Sequence, residues 1–360
     1  MQEAAGHTTS WHIPGAVVEV VGNYNIDLVM AHLDDLPAWG TEATVTYMDP
    51  RTAGAAGYSA MALARLGLSP LCIGTVGDDA YGRQIRDELA SAGAIVDGLL
   101  TTPGVKTGLG VALVRSDGQR AFVTYTGHLD YLDVDSILAA EAAAGTRGPG
   151  FAATRYVLLT GYFLLPALGY EGTRLLLERW KSAGKTILFD TGWDPKGWDG
   201  KTVAEVKSLL QLVDIFLPNE DEGRALTGEE EPEGIARALA ESVAGPVVLK
   251  LGPRGSLVFT RGEAPALGEA STQGQASKPP EALMRGKPLY IPGIPASAFD
   301  TTGAGDSFNA GVIYGLVNGW PWARILRFAN QLGAIVISQR ANRFPTAGEV
   351  ECKLGRAQAE

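Results

Sequence analysis

Two carboxylates, Asp300 and Asp306, flank Thr301-Thr302-Gly303-Ala304-Gly305 in the stretch "AFDTTGAGDSFNAGVIYGL", and an apolar helical pattern follows at once. Phe308, Val312, Ile313 and Leu316 recur on one helical face, so residues 301–305 are the turn that enters the helix. Small residues there leave backbone N–H groups open, and the positive end of the helix dipole adds to them, which makes a site for phosphate. A carboxylate at the same helix start supplies a proton acceptor. A hydroxyl attacking phosphorus needs both a base and a charge sink. Taken alone, Asp306 is also an ordinary acid of a first helical turn. Two rival chemistries fit poorly. "GDSF" offers Ser307 as a nucleophile, but the histidines are His7, His12, His32 and His128, all upstream, where a hydrolase of that motif expects its His near the C-terminus. No stretch reads G-x-x-x-x-G-K-[ST], so a phosphate bound here is held by another design.

Such a turn must be positioned by a framework, and the sequence predicts one. Short apolar runs, "AVVEVVG" (16–22), "YVLLTG" (156–161), "TILFDTG" (186–192), "DIFLPNE" (214–220) and "PVVLKLG" (246–252), each end in polar or glycine residues. Amphipathic stretches such as "GYEGTRLLLERWKSAG" and "EPEGIARALAESVAG" lie between them, which predicts an α/β fold with a mostly parallel sheet and helices on both faces. Ligands of such sheets bind at the carboxyl edge, where these polar residues fall. Residues 36–50 and 106–127 alternate apolar and polar positions instead, with Asp117-Gly118 at a hairpin-like turn, and predict a small β lid split in sequence. Residues 262–287, rich in Gly, Pro, Ala and Ser, predict a long surface loop.

Composition narrows the function classes. The chain has 360 residues, 46% hydrophobic and 19% charged, enough to bury a large core. A net charge of −10 without a dense Lys/Arg run excludes the usual nucleic-acid footprint. Cys72 and Cys352 write neither a disulfide framework nor a zinc site, and a reducing cytoplasm is the expected location. No signal-like N-terminus or long apolar run predicts secretion or membrane insertion.

"DTTGAGDSFNAG" resembles the C-terminal signature of the ribokinase/PfkB family of ATP-dependent carbohydrate kinases. Further segments follow in the family's order: "VVGNYNIDLV" (20–29), "TAGAAGYSAMALARLG" (52–67), "IGTVGDDAYGRQIRDELASAGAIVDGL" (73–99), "FLPNEDEGRALTG" (216–228) and "VVLKLGPRGSLVF" (247–259). The resemblance implies a three-layer sandwich with a small lid, spanning 15–350, between an N-terminal extension (1–14) and a C-terminal tail (351–360). It implies Asp306 as the general base, with Gly303, Ala304, Gly305 and the Asp306 amide as the anion hole. It assigns Asn25, Asp27, Gly54, Tyr58, Phe163 and Asp306 to the substrate, and Asn219, Lys250, Gly252, Gly255, Thr302, Gly305 and Asn330 to the nucleotide. Glu222 and Asn219 would act on Mg²⁺ through water, since Mg²⁺ keeps much of its hydration. Asp300 and Thr302 match positions that help bind a monovalent cation, K⁺, in some members, with "SQRANRF" (338–344) as the other wall.

Ordinary structural roles stand beside these. Asn219 and Glu222 form a helix-capping pattern, Lys250 sits where a lysine snorkels from a strand end, and Asn25 and Asp27 are turn-formers after a strand. His128 reads as a surface or lid residue. The first signature departs from the family: Ala53-Gly54-Ala55-Ala56-Gly57-Tyr58 places a tyrosine where an asparagine would contact the sugar, and Ala55 where ribokinases carry lysine. That weakens ribose as substrate. Trp39, Phe163, Trp193 and Trp198 are aromatic candidates for pocket walls serving a hexose, a keto-deoxy acid or a nucleoside. The expected activity is phosphoryl transfer from Mg·ATP to a sugar or sugar-like alcohol. A nucleoside kinase and a catalytically silent sugar-binding relative are the alternatives, and a homodimer through the lid is the expected assembly.

Overall fold

The computed structural model describes residues 18–117, 119–145, 154–261, 286–339 and 343–357. The N-terminal half contains β1 (Val18–Gly22), β2 (Asn25–Ala31), β3 (Tyr47–Ala53), α1 (Ala55–Arg65), β4 (Leu71–Gly77), α2 (Ala80–Ala92), β5 (Leu99–Thr102), β6 (Leu109–Val114), β7 (Arg120–Tyr125) and α3 (Val134–Gly145). There follow β8 (Tyr156–Thr160), α4 (Gly169–Ser182), β9 (Thr186–Asp190), α5 (Gly200–Leu210), β10 (Ile215–Phe216), α6 (Glu220–Thr227) and α7 (Pro232–Leu239). The chain closes with β11 (Val247–Lys250), β12 (Gly255–Phe259), β13 (Leu289–Pro292), α8 (Ala304–Val317), α9 (Trp322–Ile337) and α10 (Ala347–Ala357).

Among the described residues the main sheet has nine strands in the order β13-β12-β11-β10-β9-β8-β1-β4-β5. Neighbours from β11 to β5 are parallel, while β12 and β13 add antiparallel at one edge. Strands covered on both faces read as continuous apolar runs, and successive side chains feed opposite layers. Along β8, Tyr156 and Leu158 enter the core shared with α1, α8 and α9, while Val157 and Leu159 enter the core shared with α3, α4, α5 and α7. The strand order reverses between β1 and β8, so the crevice at their carboxyl ends is where such a sheet accepts a ligand. Among the described residues no helix is long and apolar enough to cross a membrane.

A second sheet has the order β3-β2-β6-β7. Its composition differs from the sequence expectation in two ways. Residues 36–46 contain no strand, and pairing begins only at Tyr47. The segment "VVGNYNIDLV" is not one strand: it leaves the main sheet after Gly22, and from Asn25 it becomes the central strand of the second sheet. Asn23, Asn25 and Asp27 alternate with Tyr24, Ile26 and Leu28, the period of a half-polar strand, whereas "VEVV" is the fully buried kind. Asn25 and Asp27 are therefore strand residues rather than turn-formers. At the far end of the chain, residues 351–357 are not tail but the continuation of α10, whose Val350 is fully buried. The 1–14 extension, Gly118, and nearly all of the 262–287 loop lie outside the described residues.

Candidate active site

Asp306 lies in the first turn of α8, entered through Gly303, whose φ of 77° is left-handed. A side chain at 303 would also meet the Tyr58 ring at 3.1 Å, so glycine is required twice over. The Ser307 amide begins the helical ladder by donating to Gly303 O at 2.9 Å, which leaves the Gly305 and Asp306 amides ahead of it for a ligand. Ala304 N–H is engaged with Thr301 O at 3.3 Å. From the second sheet, the Arg120 guanidinium donates to the Thr301 hydroxyl. The Thr302 hydroxyl is buried and has no partner among the described residues.

Behind this turn four charged groups converge from four elements. Lys250, ending β11, pairs with Asp190, ending β9, at 2.7 Å. Asn309 of α8 donates to the same Asp190 oxygen at 2.5 Å. Glu222 of α6 is buried and locked to Asn219: its carboxylate accepts from the Asn219 amide at 2.9 Å and from its side chain at 2.7 Å, and its own N–H donates to Asn219 Oδ1 at 2.9 Å. This is a capping box, so the ordinary structural reading of these two residues holds. It also aims a buried carboxylate at the Lys250–Asp190 pair. Burial, then the Asp190 charge, pushes Asp306 up to about 8 despite Lys250 and Arg120. The same two causes push Glu222 up to about 7. Burial alone would lower Lys250, but Asp190 and Glu222 outweigh it and keep the ammonium above its ordinary value. Asp190 and Asn309 are site residues that sequence reasoning misses. The signals for them are slight: an acid closing the apolar run "TILFD", and an asparagine one helical turn after Asp306.

The opposite side of the crevice is built from hydrogen bonds. Asn23 donates to Asn25 Oδ1 at 3.0 Å, Asn25 donates to Asp27 Oδ1 at 3.0 Å, and the Tyr58 hydroxyl donates to Asp27 Oδ2 at 2.9 Å. Burial pushes Asp27 up to about 6, opposed by Tyr58 and Arg51. Gly54, with φ 85°, lets α1 start against this chain, since a Cβ there would lie 2.2 Å from Asn23 O and 2.5 Å from Asn25 Oδ1. Gly110 on β6 makes room for Asp27, whose Oδ1 would be 2.7 Å from a Cβ at 110, and no local sequence pattern points to it.

Other expected residues are spread along the same edge. Gly252 and Gly255 bracket the turn from β11 to β12. Asn330 donates to Ile291 O at 3.3 Å and Pro292 O at 3.2 Å, so its amide ties α9 to β13. Phe163 follows β8 at the crevice, but its ring is engaged edge-on by Tyr162 and Trp198, each at 4.9 Å. Trp193 meets Trp198 at 6.0 Å, whereas Trp39 is fully exposed. His128 is not a surface residue. It is fully buried, its Nδ1 accepts from Gly108 N at 2.8 Å, and burial pushes its imidazole down to about 4. Neutral histidine pinned to backbone is structural.

An open helix N-terminus, a carboxylate and a lysine at the carboxyl edge of a parallel sheet are groups that phosphoryl transfer can use. The pfkB family carbohydrate kinase profile matches residues 16–347. The chain is 25% identical over 319 residues to 5-dehydro-2-deoxygluconokinase of Geobacillus thermodenitrificans, covering 86% of each chain. It is 29% identical over 292 residues to 2-dehydro-3-deoxygluconokinase of Bacillus subtilis, covering 79% of this chain and 80% of that one. An Escherichia coli ribokinase II candidate, solved with ATP and Mg²⁺, shares the fold at a TM-score of 0.73 and 21% identity, over 95% of this chain and 99% of that one. The chain belongs to the pfkB family of carbohydrate kinases and is an ATP-dependent carbohydrate kinase with the ribokinase fold.

Proposed function

We propose that the enzyme moves the γ-phosphate of ATP to a hydroxyl of a sugar or sugar-like alcohol, with Asp306 as general base. The observation that carries this reading is the placement of Asp306 beside the free amides of the α8 turn and across from Lys250. The substrate hydroxyl approaches between Asp27 and Asp306. Asp306 takes its proton as oxygen attacks phosphorus, and the Gly305 and Asp306 amides meet the charge on the equatorial oxygens. Lys250 offsets phosphate charge, Asn25 and Asp27 orient the sugar hydroxyls, and Gly252, Gly255, Thr302 and Asn330 border the nucleotide.

Mg²⁺ fits the residues present. Asp190, Glu222 and Asp306 all bear electrostatically on Lys250, and burial first, then the Asp190 charge, raises Glu222 and Asp306. A hydrated divalent ion held by Glu222 and Asn219 through water needs no all-protein cage, and when bound it neutralises β- and γ-phosphate oxygens. The E. coli relative solved with ATP and Mg²⁺ supports the same pairing.

ADP production measured across pentoses, hexoses, keto-deoxy acids, polyols and nucleosides tests the reading. Stimulation by a sugar or sugar acid is expected. Stimulation by nucleosides alone moves the substrate class to nucleosides, and ATP hydrolysis indifferent to every alcohol overturns the proposal. Met48, Val123 and Tyr125 are exposed on one face of the second sheet; we assign this face to a homodimer, which a monomeric mass in solution rejects. Free Cys72 and Cys352 suit a reducing cytoplasm.

A further inference from the structure

The family resemblance implies a monovalent cation at Asp300, and among the described residues a guanidinium already supplies positive charge there. Asp300 is buried, and each of its oxygens accepts a hydrogen bond. Oδ1 accepts from the Thr302 amide at 2.8 Å, and Oδ2 accepts from Arg51 Nη1 at 3.2 Å. The Arg51 guanidinium is itself nearly enclosed, its side chain 8% exposed, and its Nε pairs with Asp49 at 3.1 Å. Its Nη2 has no hydrogen-bond partner among the described residues. Among the described residues the Thr302 hydroxyl stands without a hydrogen-bond partner beside this pair.

We infer that Arg51, delivered from β3 of the second sheet, does at Asp300 what a bound K⁺ would otherwise do, so that this kinase needs no monovalent cation. Asp300 holds the turn that presents the Gly305 and Asp306 amides, because its Oδ1 anchors Thr302 N. A buried carboxylate so near the anion hole repels an incoming phosphate unless a positive charge stands beside it. A guanidinium suits this role because it stays charged, is weakly hydrated and fits carboxylates with several donors. Unlike an ion it arrives tethered to a strand that lies next to β2, which carries Asn25 and Asp27. Arg51 is thus a positioning residue, acting on the phosphate through Asp300 and the turn. The inference rests on the kinase reading above.

The test compares K⁺ with tetramethylammonium at equal ionic strength, reading both ADP production with a stimulating sugar and the melting temperature without substrates. For the wild type we expect the rate to change by less than about twofold, and no K⁺-specific rise in melting temperature. Arg51→Ala should lose about tenfold or more in rate and regain most of it in K⁺, with a K⁺-specific rise in melting temperature absent from the wild type. Arg51→Lys, which keeps a charge, should fold and remain indifferent to K⁺. Wild-type activity that rises by about tenfold or more with K⁺ overturns the inference, as does an Arg51→Ala variant that K⁺ restores in neither rate nor melting temperature. If Arg51→Ala does not fold, the wild-type and Arg51→Lys comparisons decide alone. Should no alcohol stimulate ADP production, the kinase reading fails, while the melting arm still reports on the site at Asp300.

Discussion

The two walls of the crevice solve opposite problems. On the substrate wall, a buried carboxylate, Asp27, is surrounded by neutral donors, and each hydrogen bond from Asn23 through Asn25 to Asp27 and Tyr58 is made. On the phosphate wall, Asp190, Glu222 and Asp306 crowd around the buried cation Lys250, and two of the three are held well above their ordinary range. One wall meets its carboxylate with hydrogen bonds, though burial still pushes Asp27 up to about 6. The other gathers buried carboxylates whose charge a positive metal ion of the proposed nucleotide complex would offset. Order is what recognition of a sugar needs, and unresolved charge is what catalysis stores for the transition state.

Changes on the phosphate wall should therefore cost rate, and changes on the substrate wall affinity. The largest effect is expected for Asp306→Asn, a fall in kcat of about 10²–10⁴ with the KM for ATP nearly unchanged, measured by steady-state kinetics. The same variant should melt higher than wild type near neutral pH. Asp306 has a folded pKa raised above its unfolded value, so its contribution to stability is fully present only below about pH 4 and is lost as pH rises through about 8. Lys250→Met comes next. Removing one member of a buried pair leaves Asp190 uncompensated and should destabilise by about 3–5 kcal/mol in urea unfolding, besides lowering the rate. A pH profile sharpens the contrast: wild-type kcat/KM should climb as pH rises toward about 8, following ionisation of Asp306 in the free enzyme, and Asp306→Asn should lose that limb. An unchanged limb would assign the base elsewhere. The smallest effect is expected for Tyr58→Phe, with sugar KM raised and a stability loss of about 1–3 kcal/mol from the donor taken from Asp27, while kcat stays close to wild type.

The phosphate turn is legible in the sequence because its parts are contiguous: base, glycines and helix start occupy one stretch of chain. The parallel sheet is legible for a related reason, since strands buried on both faces read as unbroken apolar runs. What escapes is pairing across distance. Arg51 and Asp300 are 249 positions apart, and Asn309 and Asp190 are 119 apart, so no local pattern joins them. The centre of the second sheet is hidden because β2 follows β1 after only two residues, and the change from all-apolar to alternating looks like the end of a strand rather than the start of another. His128 misleads because a lone histidine beside polar neighbours looks solvated, when its ring nitrogen in fact holds the Gly108 amide in the interior.

Tyr58 is where the two walls touch: its hydroxyl serves Asp27 while its ring lies against Gly303. A designer seeking a new sugar preference would find this residue the obvious position to randomise and the poorest one to choose. A larger side chain would press on the turn at Gly303, so under the proposed mechanism changes in selectivity there come bundled with changes in turnover. Asn25, bonded to Asn23 and Asp27 rather than to the α8 turn, is the more separable handle.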